Sequence, residues 1–309
     1  MKLVGDIGGT NTRLALVEPG TTAPIFDRYL PCADFPDFES ALARYLADLP
    51  AGTHVTDGCL CVAGPIADNS RSARLTNLPW TIDADALAAR FGLGRLLLAN
   101  DFAAAALGVT AAEPSSLVTL QSGMPLAGAP QLVVGAGTGL GMAILVPENG
   151  GFRVLPGEGG HVGFSPQNET QMRIHAALLA AHGRVTCEHL ISGPGLSAIH
   201  LILAGEAADP ADIGARALAG ESAERRSVDV FLDAYGAFVG DMAMACLSRG
   251  GVTLAGGIVG KLLPLLPESS FLSAFNAKAE HAALTVRMPV QVVTDPALGL
   301  KGAARMTEA

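Results

Sequence analysis

Apolar residues fall in short runs separated by glycine-rich turns, and these runs alternate with stretches of helical period. The apolar opening at 2–5 leads through GDIGGTNT into LALVEPG, which predicts two antiparallel strands joined by a glycine-bearing turn. Residues 38–49 have helical spacing, and DGCLCVAGPI alternates as a strand interrupted at Gly64-Pro65. TNLPWTIDADALAARFG reads as a loop and an amphipathic helix, with Thr81 or Asp83 available as N-cap. The Leu-rich segment 95–99 predicts a strand ending at Asn100-Asp101, and the alanine-rich FAAAALGV after it is a strong helix former.

The second half repeats the opening theme. Its most apolar window, 132–146, is divided by Gly135, Gly137, Gly139 and Gly141 and falls short of the roughly 18 to 20 residues that span a bilayer, so it reads as a buried strand, turn and strand. The loop PGEGGHVGFSP follows, then helices over about 169–204 and further helices to about 249. VTLAGGIV is a strand leading into a helix, MPVQVV is another strand, and a closing helix starts at Gly299. No low-complexity linker divides the chain. Two glycine-bearing strand-turn-strand units about 130 residues apart predict two related α/β lobes.

The chain has 309 residues, half of them hydrophobic, enough for one large core or two lobes, and disorder is excluded as a description. A net charge of −9 gives no general attraction to nucleic acid or to an anionic membrane, so neither is expected as a partner and a nucleotide must be held by local groups. Cys32, Cys59, Cys61, Cys187 and Cys246 are odd in number and form no CxxC pair, which points to reduced cytosolic thiols rather than a disulfide framework or zinc site. The N-terminus offers one Lys and a short apolar stretch without a signal-peptide pattern, and a cytoplasmic protein is expected.

Five segments carry candidate chemistry. In GDIGGTNT, Gly8 and Gly9 let backbone N–H groups approach a phosphate, Thr10 and Asn11 add side-chain donors, and Asp6 can orient a hydrated magnesium ion; an ordinary hairpin turn would use the same residues. GAGTGLG can wrap a polyphosphate through Gly137, Thr138 and Gly139. It fails the dinucleotide GxGxxG register at Leu140 and Met142, and no Lys completes a P-loop. Asn100-Asp101 places a carboxylate on a rigid strand end, where it can accept a proton from a hydroxyl during phosphoryl transfer, although a helix N-cap accounts for the same pair. Glu158 and His161 in PGEGGHVGF, with Glu188 in VTCEHLISGPG, are suited to the hydroxyl-rich rim of a sugar, and no HExxH spacing makes them a metal site. Gly256 and Gly257 in LAGGIVGK present bare backbone on which an adenine ring can lie, or a plain strand-to-helix turn.

The order GDIGGTNTRLAL, LANDFAAAALGV, GAGTGLGMA, LPGEGGHVGF, ISGPGL, LAGGIV and PALGLKGAA resembles bacterial glucokinases over almost the whole chain. The resemblance implies a two-lobed α/β fold, the actin-like ATPase (ribonuclease H-like) fold, with a cleft between a small domain, 1–109 completed by 298–309, and a large domain, 110–297. It further implies an ATP-dependent kinase of the 6-hydroxyl of glucose that works as a homodimer with magnesium carried mainly by the ATP phosphates and water. Asp101 is then the general base, and Asn100, Asp101, Glu158, His161 and Glu188 bind the sugar. Asp6, Gly8, Gly9, Thr10, Asn11, Gly137, Thr138 and Gly139 serve the phosphates, with Gly256 and Gly257 near adenosine. The related group with a cysteine-rich zinc motif after its sugar-binding His fits less well, because HVGFSPQNET has no cysteine, and no resident metal is expected. A kinase for another hexose or amino sugar, or one using polyphosphate, stays open. A sugar-sensing regulator is disfavoured because the first loop begins at Gly5, with no room for a helix-turn-helix ahead of it.

Overall fold

The computed structural model describes residues 1–64, 66, 67, 69, 71–75 and 78–307. Pro65, half of the break expected after the CLCV strand, lies outside them. The chain divides into two units, Met1–Pro114 with Asp295–Ala309, and Ser115–Thr294.

The first unit opens with strands β1 (Lys2–Ile7), β2 (Asn11–Val17) and β3 (Ile25–Pro31) and helix α1 (Phe38–Ala47). It continues with β4 (Asp57–Val62), β5 (Ser72–Arg74), β6 (Thr81–Asp83), α2 (Ala84–Phe91), β7 (Arg95–Asn100) and α3 (Asp101–Gly108). The second unit contains β8 (Leu117–Gln121), β9 (Gln131–Ala136), β10 (Leu140–Glu148) and β11 (Gly151–Gly157), then α4 (Glu169–His182), α5 (Gly193–Ala204), α6 (Pro210–Leu218) and α7 (Ser222–Ala245). It closes with β12 (Gly251–Ala255), α8 (Gly257–Leu262), α9 (Phe271–Asn276), α10 (Ala282–Thr285) and β13 (Val290–Val293). Helix α11 (Leu298–Met306) returns to the first unit.

The first sheet has the order β3-β2-β1-β4-β7, with β1, β4 and β7 parallel and β2 and β3 antiparallel to their neighbours. Strand period sorts its side chains. Leu3, Ile7, Leu60, Val62, Leu96 and Leu98 meet Phe38, Leu42 and Tyr45 of α1 and Leu87 of α2 on one face. Val4, Ala15, Cys59 and Cys61 meet Ala104 of α3 and Leu300, Ala303 and Ala304 of α11 on the other. Asp37 caps α1 by accepting from the Ser40 N–H at 2.7 Å, and Asp83 rather than Thr81 caps α2. Small residues let α3 and α11 touch through their backbones: a Cβ on Gly302 would stand 1.7 Å from the Ala104 carbonyl oxygen, and one on Gly108 would stand 2.0 Å from that of Leu298.

The second sheet runs β11-β10-β9-β12-β13-β8. Apart from the edge strand β8 and the small β5–β6 ribbon, both sheets place an antiparallel meander of three strands beside two further parallel strands in the same spatial order, so the two glycine turns occupy equivalent positions. Leu132, Val134, Val252, Leu254 and Val292 are buried with Phe231, Tyr235, Phe238 and Val239 of α7, and the Tyr235 hydroxyl donates to the Val134 carbonyl at 3.4 Å. Among the described residues no helix is long and apolar enough to cross a membrane.

The family resemblance implies a division after 109 and before 298, whereas the units meet at Pro114/Ser115 and Thr294/Asp295. The physical reason lies in short polar contacts around α11. Asp295 accepts from the Ala297 N–H at 2.8 Å and pairs with Lys301 at 2.6 Å, which ties the residues before the helix to it. The sequence pattern passes over β3, β8 and β11. These are edge strands, and β3 and β11 are largely open to solvent, so they lack the apolar run that marks a buried strand.

Candidate active site

In the first unit the turn between β1 and β2 is closed by the Gly8 N–H donating to the Asn11 carbonyl at 3.0 Å. The Cys32 N–H donates to the Thr10 carbonyl at 2.9 Å, and the buried Cys32 thiol lies 3.6 Å from the Gly8 carbonyl and 3.6 Å from the Thr12 hydroxyl. Cys32 therefore holds the glycine loop from beneath, a role no spacing in the sequence announces. Thr10 and Asn11 are exposed and Gly8 and Gly9 half-buried, as a loop offered to a ligand requires.

Asp6 precedes that loop, opposite Arg13 of β2 and in one row with Cys61 of β4. Burial, and then the charge of Asp101, push its carboxyl up to about 6, against the opposing charge of Arg13. That opposition is limited, because the Arg13 guanidinium is engaged by Asp27 at 2.6 and 3.0 Å. The same repulsion places Asp6 and Asp101 in one electrostatic neighbourhood at the carboxyl ends of the parallel strands. Helix α11 packs against this group, since a Cβ on Gly299 would lie 3.0 Å from the Asp6 Oδ2.

A carboxyl raised by folding contributes stability that is complete below its unfolded value near 3.8 and is lost as pH rises through about 6. The span corresponds to about 3 kcal/mol. Denaturant titrations of the parent and Asp6→Asn from pH 4 to 7 should show the parent losing roughly that amount relative to the variant. Parallel pH profiles would refute the raised Asp6 carboxyl.

Strand β7 delivers Asn100 and Asp101 to the start of α3. Asn100 Oδ1 accepts from the Ala103 N–H at 3.0 Å, so the capping task falls to Asn100. Asp101 is the first helical residue, and its Oδ1 accepts from the Phe102 N–H at 2.7 Å. The ambiguity between cap and functional carboxylate thus resolves into two residues with two tasks.

In the second unit the turn between β9 and β10 carries Gly137, Thr138 and Gly139, with the Gly137 N–H donating to the Gly139 carbonyl at 2.8 Å. The Gly193 N–H at the start of α5 donates to the Gly137 carbonyl at 2.8 Å. Glu188 Oε2 accepts from the Leu140 N–H at 2.8 Å, and a Cβ on Gly139 would stand 2.6 Å from that oxygen. Glycine at 139 is what admits the carboxylate to the loop.

The other Glu188 oxygen lies 3.8 Å from His161 Nε2, while His161 Nδ1 is 3.3 Å from Glu158 Oε2. Glu158, His161 and Glu188 therefore form one carboxylate–imidazole–carboxylate cluster, as their residue types suggested. Tight packing of the preceding glycines positions it, because a Cβ on Gly160 would fall 2.2 Å from the Leu140 carbonyl oxygen. The turn presenting Glu188 is braced by His189, whose Nδ1 accepts from the Thr186 N–H at 3.0 Å and whose ring stacks on His182 at 4.5 Å. Burial, then the neighbouring His182, lower the His189 pKa, which keeps Nδ1 an acceptor. His189 sits beside Glu188 in sequence, yet only the fold reveals its bracing role.

A cavity of about 710 Å³ adjoins the same loop. Gly137, Thr138 and Gly257 line it together, which brings the polyphosphate and adenosine candidates into one site. Gly256 caps α8 with φ of 93°, and a Cβ there would stand 2.5 Å from the Ala136 carbonyl oxygen, so glycine is required by both conformation and space. The opposite wall, supplied by Pro194 of α5 and Pro210, Ala211, Ala215 and Leu218 of α6, carries no motif in the sequence. These are apolar residues on helices and look like ordinary core.

Two sheets of equal order with glycine turns at matching places, a strand-end carboxylate, an acceptor cluster and an apolar cavity define an actin-like ATPase fold equipped for phosphoryl transfer. A family model described as Glucokinase matches residues 3–309, and the chain belongs to the glucokinase family. Among curated relatives, the glucokinase of Chromohalobacter salexigens is 40% identical over 307 residues, covering 97% of this chain and 95% of the relative. A crystal structure of glucokinase from an Antarctic psychrotroph superposes with a TM-score of 0.86 at 30% identity, covering 100% of this chain and 99% of the other. Glucokinase from Balamuthia mandrillaris, solved in complex with glucose, shares the fold with a TM-score of 0.84 at 22% identity, covering 100% and 93%.

Proposed function

We propose that this chain is an ATP-dependent glucokinase that transfers the γ-phosphoryl group of ATP to the 6-hydroxyl of glucose, giving glucose 6-phosphate and ADP. The observation that carries this reading is the double attachment of Glu188. One oxygen holds the N–H that follows the Gly137–Gly139 loop, and the other faces the His161 ring of the acceptor cluster. Sugar recognition and phosphate recognition are thereby joined in one side chain.

Asp101 accepts the proton of the attacking hydroxyl as the O–P bond forms, the part a carboxylate general base plays in phosphoryl transfer to a hydroxyl. Glu158, Glu188 and His161 hydrogen-bond the sugar hydroxyls, and Asn100 adds its amide donors while its oxygen caps α3. Backbone N–H groups around Gly8, Gly9, Thr10, Asn11, Gly137, Thr138 and Gly139 take phosphate oxygens, where they stabilise charge that develops in the transition state. The cavity wall at Gly257 and α6 receives the nucleoside, with Gly256 behind it. Magnesium carried with ATP would neutralise phosphate charge. Asp6 fits that cation through water, being a part-buried carboxylate next to a second one. The family resemblance supports a homodimer acting in the cytoplasm at the entry to glycolysis.

A coupled assay of glucose, mannose, fructose and N-acetylglucosamine, each with ATP and with polyphosphate, tests the reading. Glucose with ATP should give the highest kcat/KM, and a preferred alternative pair would replace it. Glu158→Gln should weaken glucose binding by about 1.5 to 3 kcal/mol, the range for a lost charge-assisted hydrogen bond. Calorimetry would detect this, and an unchanged dissociation constant would remove Glu158 from the sugar site.

A further inference from the structure

The cavity beside Gly137 and Thr138 contains a single charged side chain. Its walls are glycine backbone and apolar residues, and only Thr138 and Lys261 bring polar side-chain groups to it. Lys261 stands one turn along α8 from Gly257, so its methylene stem can lie on the apolar wall while the exposed ammonium stays in the opening. The chain has four lysines. Lys278 pairs with Asp241 at 2.7 Å, Lys301 with Asp295 at 2.6 Å, and Lys2 donates to the Thr307 carbonyl at 3.1 Å. Lys261 alone has no hydrogen-bond or ion-pair partner among the described residues. An ammonium has three donors and no acceptor, and among the acceptors of a nucleotide the anionic phosphate oxygens bind it most strongly.

We propose that Lys261 anchors the nucleotide donor, its ammonium taking an oxygen of the nucleoside 5′-phosphate while the apolar walls hold base and ribose by burial. The proposal rests on reading the cavity as the nucleotide site. The contacted phosphate is present in ATP, ADP and AMP, so the interaction contributes to binding equally before and after transfer and leaves the barrier of the bound complex unchanged. Adenosine, lacking the phosphate, gains nothing from it.

Lys261→Ala should raise the KM for ATP about 10- to 100-fold with kcat altered no more than about twofold, as removal of one charge-assisted hydrogen bond predicts. Inhibition by ADP and AMP should weaken by the same factor, inhibition by adenosine should not change, and Lys261→Arg should recover most of the loss. An unchanged KM for ATP, a fall in kcat without a change in KM, or equal weakening of adenosine would overturn the proposal. Ala215→Trp, which fills the cavity, separates the two levels. If it leaves the KM for ATP unchanged while the protein stays folded by circular dichroism, the nucleotide reading of the cavity fails. If it abolishes ATP use while Lys261→Ala does not raise the KM, only the lysine proposal fails.

Discussion

Asp101→Asn is expected to lower kcat by about 10²- to 10⁴-fold, the range for removal of a general base, with the glucose dissociation constant changed only a few-fold. Asparagine keeps an oxygen for the Phe102 N–H, which Asp101 Oδ1 holds at 2.7 Å, so the start of α3 should stay formed. The cap is preserved in any case because Asn100 provides it. Loss of turnover in this variant therefore reports proton transfer rather than helix unravelling. A second readout is built into the neighbourhood. Asp101 is the second cause, after burial, of the raised Asp6 carboxyl, so the Asp6 titration seen by carbon NMR should move down in Asp101→Asn. Near-parent kcat would remove Asp101 as the base, and an unmoved Asp6 titration would deny that the two carboxylates feel each other.

Gly302→Ala is expected to destabilise the first unit by about 3 kcal/mol, although helix propensity alone would favour alanine by about 1 kcal/mol. The added Cβ would meet the Ala104 carbonyl oxygen at 1.7 Å and its carbon at 2.4 Å, both backbone atoms that no rotamer change can clear. Helices α3 and α11 would have to part, and they carry Asp101 and the Gly299 that abuts Asp6. Turnover should fall along with stability. Denaturant unfolding at fixed pH decides the sign, and a variant as stable as the parent or more so would show that this crossing tolerates a methyl group.

Most of the candidate site is legible as short motifs, and the reason differs from one motif to another. Gly8 and Gly139 stand out because turns that bare backbone N–H groups to a ligand need glycine where other atoms come close, here the Asn11 carbonyl oxygen at 3.2 Å and the Glu188 carboxylate at 2.6 Å from where a Cβ would sit. Glu158, His161 and Glu188 stand out as polar residues in a chain that is half hydrophobic, and the fold brings them within 3.3 and 3.8 Å of one another. The apolar half of the cavity beside Gly137 gives no such signal. Ala211, Ala215 and Leu218 on α6 follow the same helical period whether they face a core or a ligand, and period does not report what lies opposite. The bracing by Cys32 and His189 is silent for a similar reason, since neither residue belongs to the motif it supports and each acts through hydrogen bonds that only the fold forms.

By itself the amino-acid sequence determined the alternation of strands and helices, the two glycine turns and the order of motifs that marks the family, because these depend on local period and on backbone freedom at single residues. Only the tertiary structure decided which of Asn100 and Asp101 caps α3, that burial and Asp101 raise the Asp6 carboxyl, that Glu188 joins the Glu158–His161 cluster to the Gly137–Gly139 loop, and that Lys261 lines the cavity beside that loop with no partner among the described residues. Each of these is a matter of burial and of distances between residues far apart in the chain, which residue type and spacing do not encode.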